Sequence, residues 1–412
     1  VTGNGTEIVV TDAEIKAQDS SSINSLVGAA AVSAAVSGKS SLSFSIGIAL
    51  AFNEVANEVT ARIVGASLLA TGTDGITIEA TTAAQTPLSI TGISATDLDD
   101  AALEEVDPIS GADVNGDAAG DAAILNTLVT LIDAQLTGIK INDTVTGMTG
   151  LSFSQSENSD GWILIDGLGR NFAIEPGAGN AFDISVGTIN AVSGAAAFSF
   201  AAGKTGIAIA GAGAYSENVI QSNTKAYIDS ALVNAEAGDL DLAAKNTSSI
   251  NAITVAAAVS LAIGKTGVGV ALGAAISQNL IGREARGQGD AIGTFAYIKN
   301  STVAAGGDVT VNALSEQKIN ALNVAGSAAI AGGKIGVAIS GSGVYVRNVI
   351  DTEISAKIDG DVGTSAPIVG ALAAVTAENV TVKAQNKSEI NVIAATVSVS
   401  AAFGKSAVAV AM

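Results

Sequence analysis

The chain has 412 residues, a formal net charge of -20, 47 glycines, no cysteine, no histidine and only 3% aromatic residues. That length suits two or three ordinary domains or one long repeat array. The acidic balance argues against nucleic acid and anionic membrane surfaces as partners. The missing cysteine rules out a disulfide framework, and the missing histidine removes the commonest general base and metal ligand.

In chain order, residues 1–22 read as the tail of a repeat. Ala13-Glu14-Ile15-Lys16-Ala17-Gln18 matches Val380-Thr381-Val382-Lys383-Ala384-Gln385, so the chain is expected to be a fragment of something longer. Ile23 to Val59 forms the first full unit: an Asn, an apolar run, a Gly-Lys reversal, a second apolar run and another Asn. The reversal recurs at Lys39, Lys204, Lys265, Lys334 and Lys405, each preceded by Gly. An Asn stands 14 positions after Lys in Asn53, Asn218, Asn279 and Asn348, and 14 before it in Asn190, Asn251, Asn320 and Asn391. In the first unit the leading Asn slips by one, to Asn24. A repeat of this kind decides the fold class before any local reading.

The runs have a period of two. Ile253, Val255, Val259, Leu261 and Ile263 alternate with Ala252, Thr254, Ala256, Ala258, Ser260 and Ala262, the pattern of a strand. The branched residues are expected to pack in a core, so that Val255→Asp puts a charge between layers. The small face is expected to be covered too, because Gly, Ala and Ser let another backbone approach. Each run also has about the length of a membrane-spanning strand, which keeps a barrel hairpin open.

Connectors follow each unit. Ala226-Tyr227-Ile228-Asp229 leads to Gly238-Asp239-Leu240-Asp241-Leu242, and Ala296-Tyr297-Ile298 leads to Gly307-Asp308-Val309-Thr310-Val311. The Gly-Asp pairs turn the chain and alternation then resumes. The last four Gly-Lys pairs are 61, 69 and 71 residues apart, with the extra residues confined to connectors, as a solenoid tolerates.

Residues 87–186 interrupt the repeat. Asp121 to Leu136 has helical spacing, with Asp121 as a cap and Gly138 as a stop, and Ile139 to Ile174 reads as short strands around Trp162. The reading is all-β: a parallel β-solenoid over 1–86 and 187–412, carrying a small inserted α+β domain.

Little of the sequence points to chemistry. Asp113, Asn115 and Asp117 alternate as at the start of a calcium loop, but Ala118 stands where Gly is usual and no Glu closes the loop. The Gly-Lys-Thr triplets lack the earlier Gly of a phosphate loop, since Phe198 and Val259 occupy that place. Nothing in their spacing selects Asp160, Asp166 and Glu175 as paired catalytic carboxylates, so the chain reads as non-catalytic. The recurring Asn residues suit amide ladders along a stack. The lysines suit a solvent-facing edge that discourages lateral pairing, and Tyr227 and Tyr297 suit stacking.

The segment Ala296 to Ala313, followed by the Ala/Gly/Ser-rich run and Asn-Val-Ile, resembles the repeats of giant bacterial surface proteins. These are the filamentous-haemagglutinin-like and leukotoxin-type filamentous adhesins. The resemblance covers everything but the insert. It implies a structural or adhesive segment of a secreted fibre at the bacterial cell surface. Partners would then be further copies along the fibre axis and a host-cell, matrix or surface ligand, with no nucleic acid, no small-molecule substrate and no cofactor beyond the calcium option. Two alternatives stay open. One is a membrane-active or pore-forming toxin using the long hairpins, for which lipid-facing strands should alternate apolar with polar positions. The other is a carbohydrate-active β-helix, which fold alone cannot establish.

Overall fold

A computed structural model describes residues 7–83, 88–92, 94, 95, 98, 127–132, 152–155, 162–165, 171–176, 182–186, 188–282, 292–360 and 374–412. Apart from helical residues at 95 and 98 and a short helical stretch at 127–132, the described residues form an all-β structure. Three of its four sheets are parallel throughout. Each draws strand segments in register from every repeat, so the repeats stack as successive levels.

Register is kept residue for residue. Asn190 pairs with Asn24 on one side and Asn251 on the other, and Asn251 pairs with Asn320, which pairs with Asn391. One short sheet stacks Glu7–Val10, Ser67–Ala70, Leu232–Ala235, Thr302–Ala305 and Val375–Thr376. The second stacks Ala13–Asp19, Ile76–Ala83, Leu240–Thr247, Val309–Ser315 and Val380–Asn386. The long sheet has ten strands, among them Ile189–Asp229 and Ser249–Gly282.

Local chemistry makes the corners. Gly65 (φ 61°), Ser230 (φ 53°) and Asn300 (φ 48°) occupy the same bend in three levels. Left-handed backbone suits Gly and Asn, and the Ser230 hydroxyl donates to Asp229 Oδ1 at 3.0 Å. At the next turn an aspartate caps the level beyond it. Asp12 Oδ1 accepts from the Asp74 and Gly75 amides at 3.0 Å, and Asp239 Oδ1 from the Asp308 amide at 2.8 Å. The three walls enclose a body core of columns: Ile63, Ile228 and Ile298; Leu68, Val233 and Val303; Ile78, Leu242 and Val311. Each of these side chains contributes roughly 1.5–3 kcal/mol by leaving water.

The Asn–Gly-Lys–Asn units project from this body as a blade. Each unit runs out, reverses at Gly-Lys and runs back, so the long sheet curls on itself as half a barrel. Its two arms touch across the fold: Ser33 Oγ lies 2.6 Å from Ser43 Oγ, Ser340 Oγ 2.9 Å from Ser400 Oγ, and Ser342 Oγ 2.8 Å from Ser398 Oγ.

Here the expected core is inverted. Ala256 and Ala258 are 1% exposed and Ala271 and Ala275 are 0%, whereas Val255 is 36% exposed and Leu272 53%. The small faces meet each other and the branched residues turn outward. Close approach is the reason. A Cβ on Gly47 would lie 2.4 Å from the Ala196 carbonyl oxygen, and one on Gly273 2.4 Å from that of Gly326. Branched side chains would hold the layers near the ordinary sheet separation of about 10 Å. Only glycine, alanine, serine and the like fit the narrower gap.

The repeat is interrupted between Ala83 and Thr188, where other levels have a link as short as Ser248 alone. The described part of the insert is an antiparallel sheet ordered Leu88–Ile90, Phe182–Val186, Asn171–Pro176, Trp162–Ile165, Ser152–Gln155. Trp162 is buried and meets Phe182 edge-on, with ring centroids 5.6 Å apart. Of the helix read from the sequence, 127–132 is described, with Leu128, Val129 and Ile132 buried.

Candidate functional site

The repeat-specific polar residues gather on the blade and its neck. Two asparagine columns cross the levels where the blade joins the body. In the returning arm, Asn53 Nδ2 donates to Asn218 Oδ1 (2.8 Å), Asn218 to Asn279 (2.7 Å) and Asn279 to Asn348 (2.7 Å). In the outgoing arm the sense is opposite: Asn391 donates to Asn320 (3.2 Å), Asn320 to Asn251 (2.9 Å), Asn251 to Asn190 (2.9 Å) and Asn190 to Asn24 (3.0 Å). Asn218 and Asn279 are fully buried, and each gives a second bond to a serine hydroxyl two residues earlier, at 3.0 and 3.1 Å. Asn218 and Asn279 are thus partnered by their equivalents above and below, which offsets the cost of burying them.

At the far end of the blade, Lys39, Lys204, Lys265, Lys334 and Lys405 are all exposed. Their neighbours pair in register, as in Gly203 with Gly264 and Thr266 with Ile335. The lysines therefore form one row at about 4.8 Å per level. Among the described residues none of the five forms an ion pair.

A third column lies on the body. Tyr227 and Tyr297 stack with centroids 4.8 Å apart and planes 5° from parallel. Arg62 Nη1 donates to Tyr227 Oη at 2.9 Å, and Lys357 Nζ sits 6.0 Å from the Tyr297 ring centre. Burial, reinforced by Tyr227 and Asp229, pushes the Tyr297 phenol up to about 12. The sequence signals the tyrosines but not their flanking cations, because Arg62 and Lys357 stand at equivalent register positions under a different residue type.

Asp113, Asn115 and Asp117, the candidate calcium ligands, lie outside the described residues, as do Asp160 and Asp166. Glu175 sits in Asn171–Pro176, opposite Asp183. Among the described residues no group of three His, Cys, Asp or Glu is placed to hold a metal ion. An open trough of about 480 Å³ on the outside of the blade, lined by Gly211, Gly213, Gly341 and Gly343 among others, has no convergent polar groups. The described residues include no helix long and apolar enough to cross a membrane.

No family model, curated protein or solved structure matches this chain.

Proposed function

We propose that this chain is a structural segment of a β-solenoid fibre, one coil per repeat, serving a secreted filamentous adhesin at a bacterial surface. The single observation that carries the reading is the register. Five successive repeats pair in parallel residue for residue, and one amide column runs unbroken through all five while a second runs through four of them. In such an array each level contacts its neighbours alone and stability grows by addition, so length is the property the fold supplies. The resemblance of Ala296 to Ala313 to filamentous-adhesin repeats supports the same reading. Further repeats or further copies continue the sheets along the stacking axis.

The test is assembly of the purified chain in the absence of lipid. Light scattering and electron micrographs should show thin filaments whose fibre diffraction has a meridional spacing near 4.8 Å. Added salt should screen the charge of -20 and promote side-by-side bundling. A strictly monomeric species at high concentration and moderate salt counts against axial assembly.

A further inference from the structure

The blade presents an apolar exterior on which none of the described residues packs. In the first level Leu42, Phe44, Ile46, Ile48, Leu50 and Phe52 are all more than half exposed. The pattern holds at the other levels. Between the asparagine rows and the lysine row, most outward positions carry Val, Ile, Leu, Phe, Met, Ala or Gly; the exceptions are Tyr215 and Tyr345, Ser40, Thr205, Thr266 and Ser406 beside the lysines, and Glu217, Gln278 and Arg347 beside the returning asparagines. Polar groups point inward instead: Ser41, Ser43, Ser45, Ser193, Ser199, Thr254, Ser260 and Asn323 are buried between the arms. Water favours the reverse arrangement. A contiguous exposed apolar face of this kind marks an interaction surface.

We propose that the blade inserts into a lipid bilayer, with the lysine row reaching the far headgroups and the acidic body staying outside. Three observations select lipid over a protein partner. The first is length. The apolar band common to the levels runs from the Leu42 row to the row of Leu50, Tyr215, Ile276 and Tyr345, eight residue steps, about 26 Å at about 3.3 Å per step, against an outward apolar band of about 25 Å on membrane strands. The second is how the band ends. At the body side stand Phe52, Tyr215 and Tyr345, with Tyr215 donating to Glu217 at 2.7 Å and accepting from Gln278 at 3.1 Å. That is the place of the aromatic girdle of membrane strands. At the far side stand the lysines, whose long stems can lie along apolar surface while the ammonium stays wet. The third is two-sidedness. Both arms turn an apolar face outward, and a second copy laid on one face leaves the other bare, whereas lipid covers both.

The net charge does not oppose this, because it is segregated. Between the asparagine rows the formally charged residues are Lys39, Lys204, Lys265, Lys334, Lys405, Arg347 and Glu217, and the acidic excess lies elsewhere in the chain. Within the blade, interior strands satisfy one another's backbone groups. In lipid the outermost strands need the next level to do the same, so the proposal rests on the axial continuation described above.

Flotation with phosphatidylcholine vesicles, with and without phosphatidylglycerol, tests it. The chain should float with both, and high salt should not release it. Leu272→Trp, set against the parent with its single Trp162, should be quenched by lipids brominated near the chain ends. Leu272→Arg puts a charge at mid-depth and should lower partitioning by roughly 100-fold, leaving the far-UV spectrum in solution unchanged. Binding confined to phosphatidylglycerol vesicles and lost in salt, without quenching, would be adsorption by the lysine row and overturns insertion. Absence of vesicle binding, together with a lateral dimer abolished by Leu272→Arg, would make a second copy the occupant and equally overturns it. Filament formation without lipid is a separate readout, so failure of axial assembly is distinguishable from failure of insertion.

Discussion

Adding one methyl group between the blade's arms tests how close they are. Gly273 faces inward, and a Cβ there would lie 2.4 Å from the Gly326 carbonyl oxygen and 3.2 Å from its carbonyl carbon. Gly213 faces outward, and a Cβ there meets nothing within 4 Å. Neither has a positive φ, so alanine is conformationally acceptable at both. Both substitutions restrict the unfolded chain alike, and that effect alone favours the fold by about 0.4–1 kcal/mol. Gly213→Ala should show this gain. At Gly273 the contact partner is backbone, and both arms are fixed by hydrogen bonds to neighbouring levels, so relief requires the arms to part by most of an ångström. Overpacking of this kind costs about 1–3 kcal/mol. Gly273→Ala should therefore fall below Gly213→Ala by about 1–3 kcal/mol. Guanidinium midpoints by circular dichroism compare the two, with hydrogen exchange to localise the loss, since a repeat array need not unfold in one step. If Gly273→Ala matched Gly213→Ala, the small-residue contact between the arms would be refuted.

Three further outcomes are expected. Asn218→Ala strands the Asn53 donor and the Asn279 acceptor in a buried column and should cost about 2–4 kcal/mol; Asn391→Ala, at the exposed end of the other column, should cost under about 1 kcal/mol in the same denaturation assay. Ala256→Asp, at 1% exposure, should disrupt its level, whereas Val255→Asp should fold with native hydrogen-exchange protection in water, because its side chain points out. Tyr297 is held neutral by the fold, with its phenol raised from 10.0 to about 12; its contribution is complete below about pH 10 and is lost as pH rises through 12, so Tyr297→Phe should flatten the alkaline limb of a stability–pH profile.

The strands and their register were legible because each leaves a one-dimensional trace: alternation of two, and recurrence of Asn and Gly-Lys. The orientation of the blade was not. Both alternating sets are apolar by composition, and the rule that larger side chains go inside assigns Val255 and Leu272 to a core. What decides the matter is the partner of the small face, namely the same face of the returning arm. Glycine at Gly47 and Gly273 is the signal that was present, since it reports a distance between backbones, which hydropathy does not. The Arg62 and Lys357 ends of the tyrosine column were hidden for another reason. They are equivalent to Tyr227 and Tyr297 only once the corner at Gly65, Ser230 and Asn300 fixes the count along each connector.

The two asparagine columns donate in opposite senses, one toward later levels and one toward earlier ones. An amide chain whose bonds all point one way carries a dipole that grows with every unit added. Two such chains set head to tail beside each other cancel. Each new level then adds cohesion without adding polarity, and neither end of a long array becomes electrically distinct from the other. In the fibre proposed above, the hundredth repeat would meet the same field as the sixth.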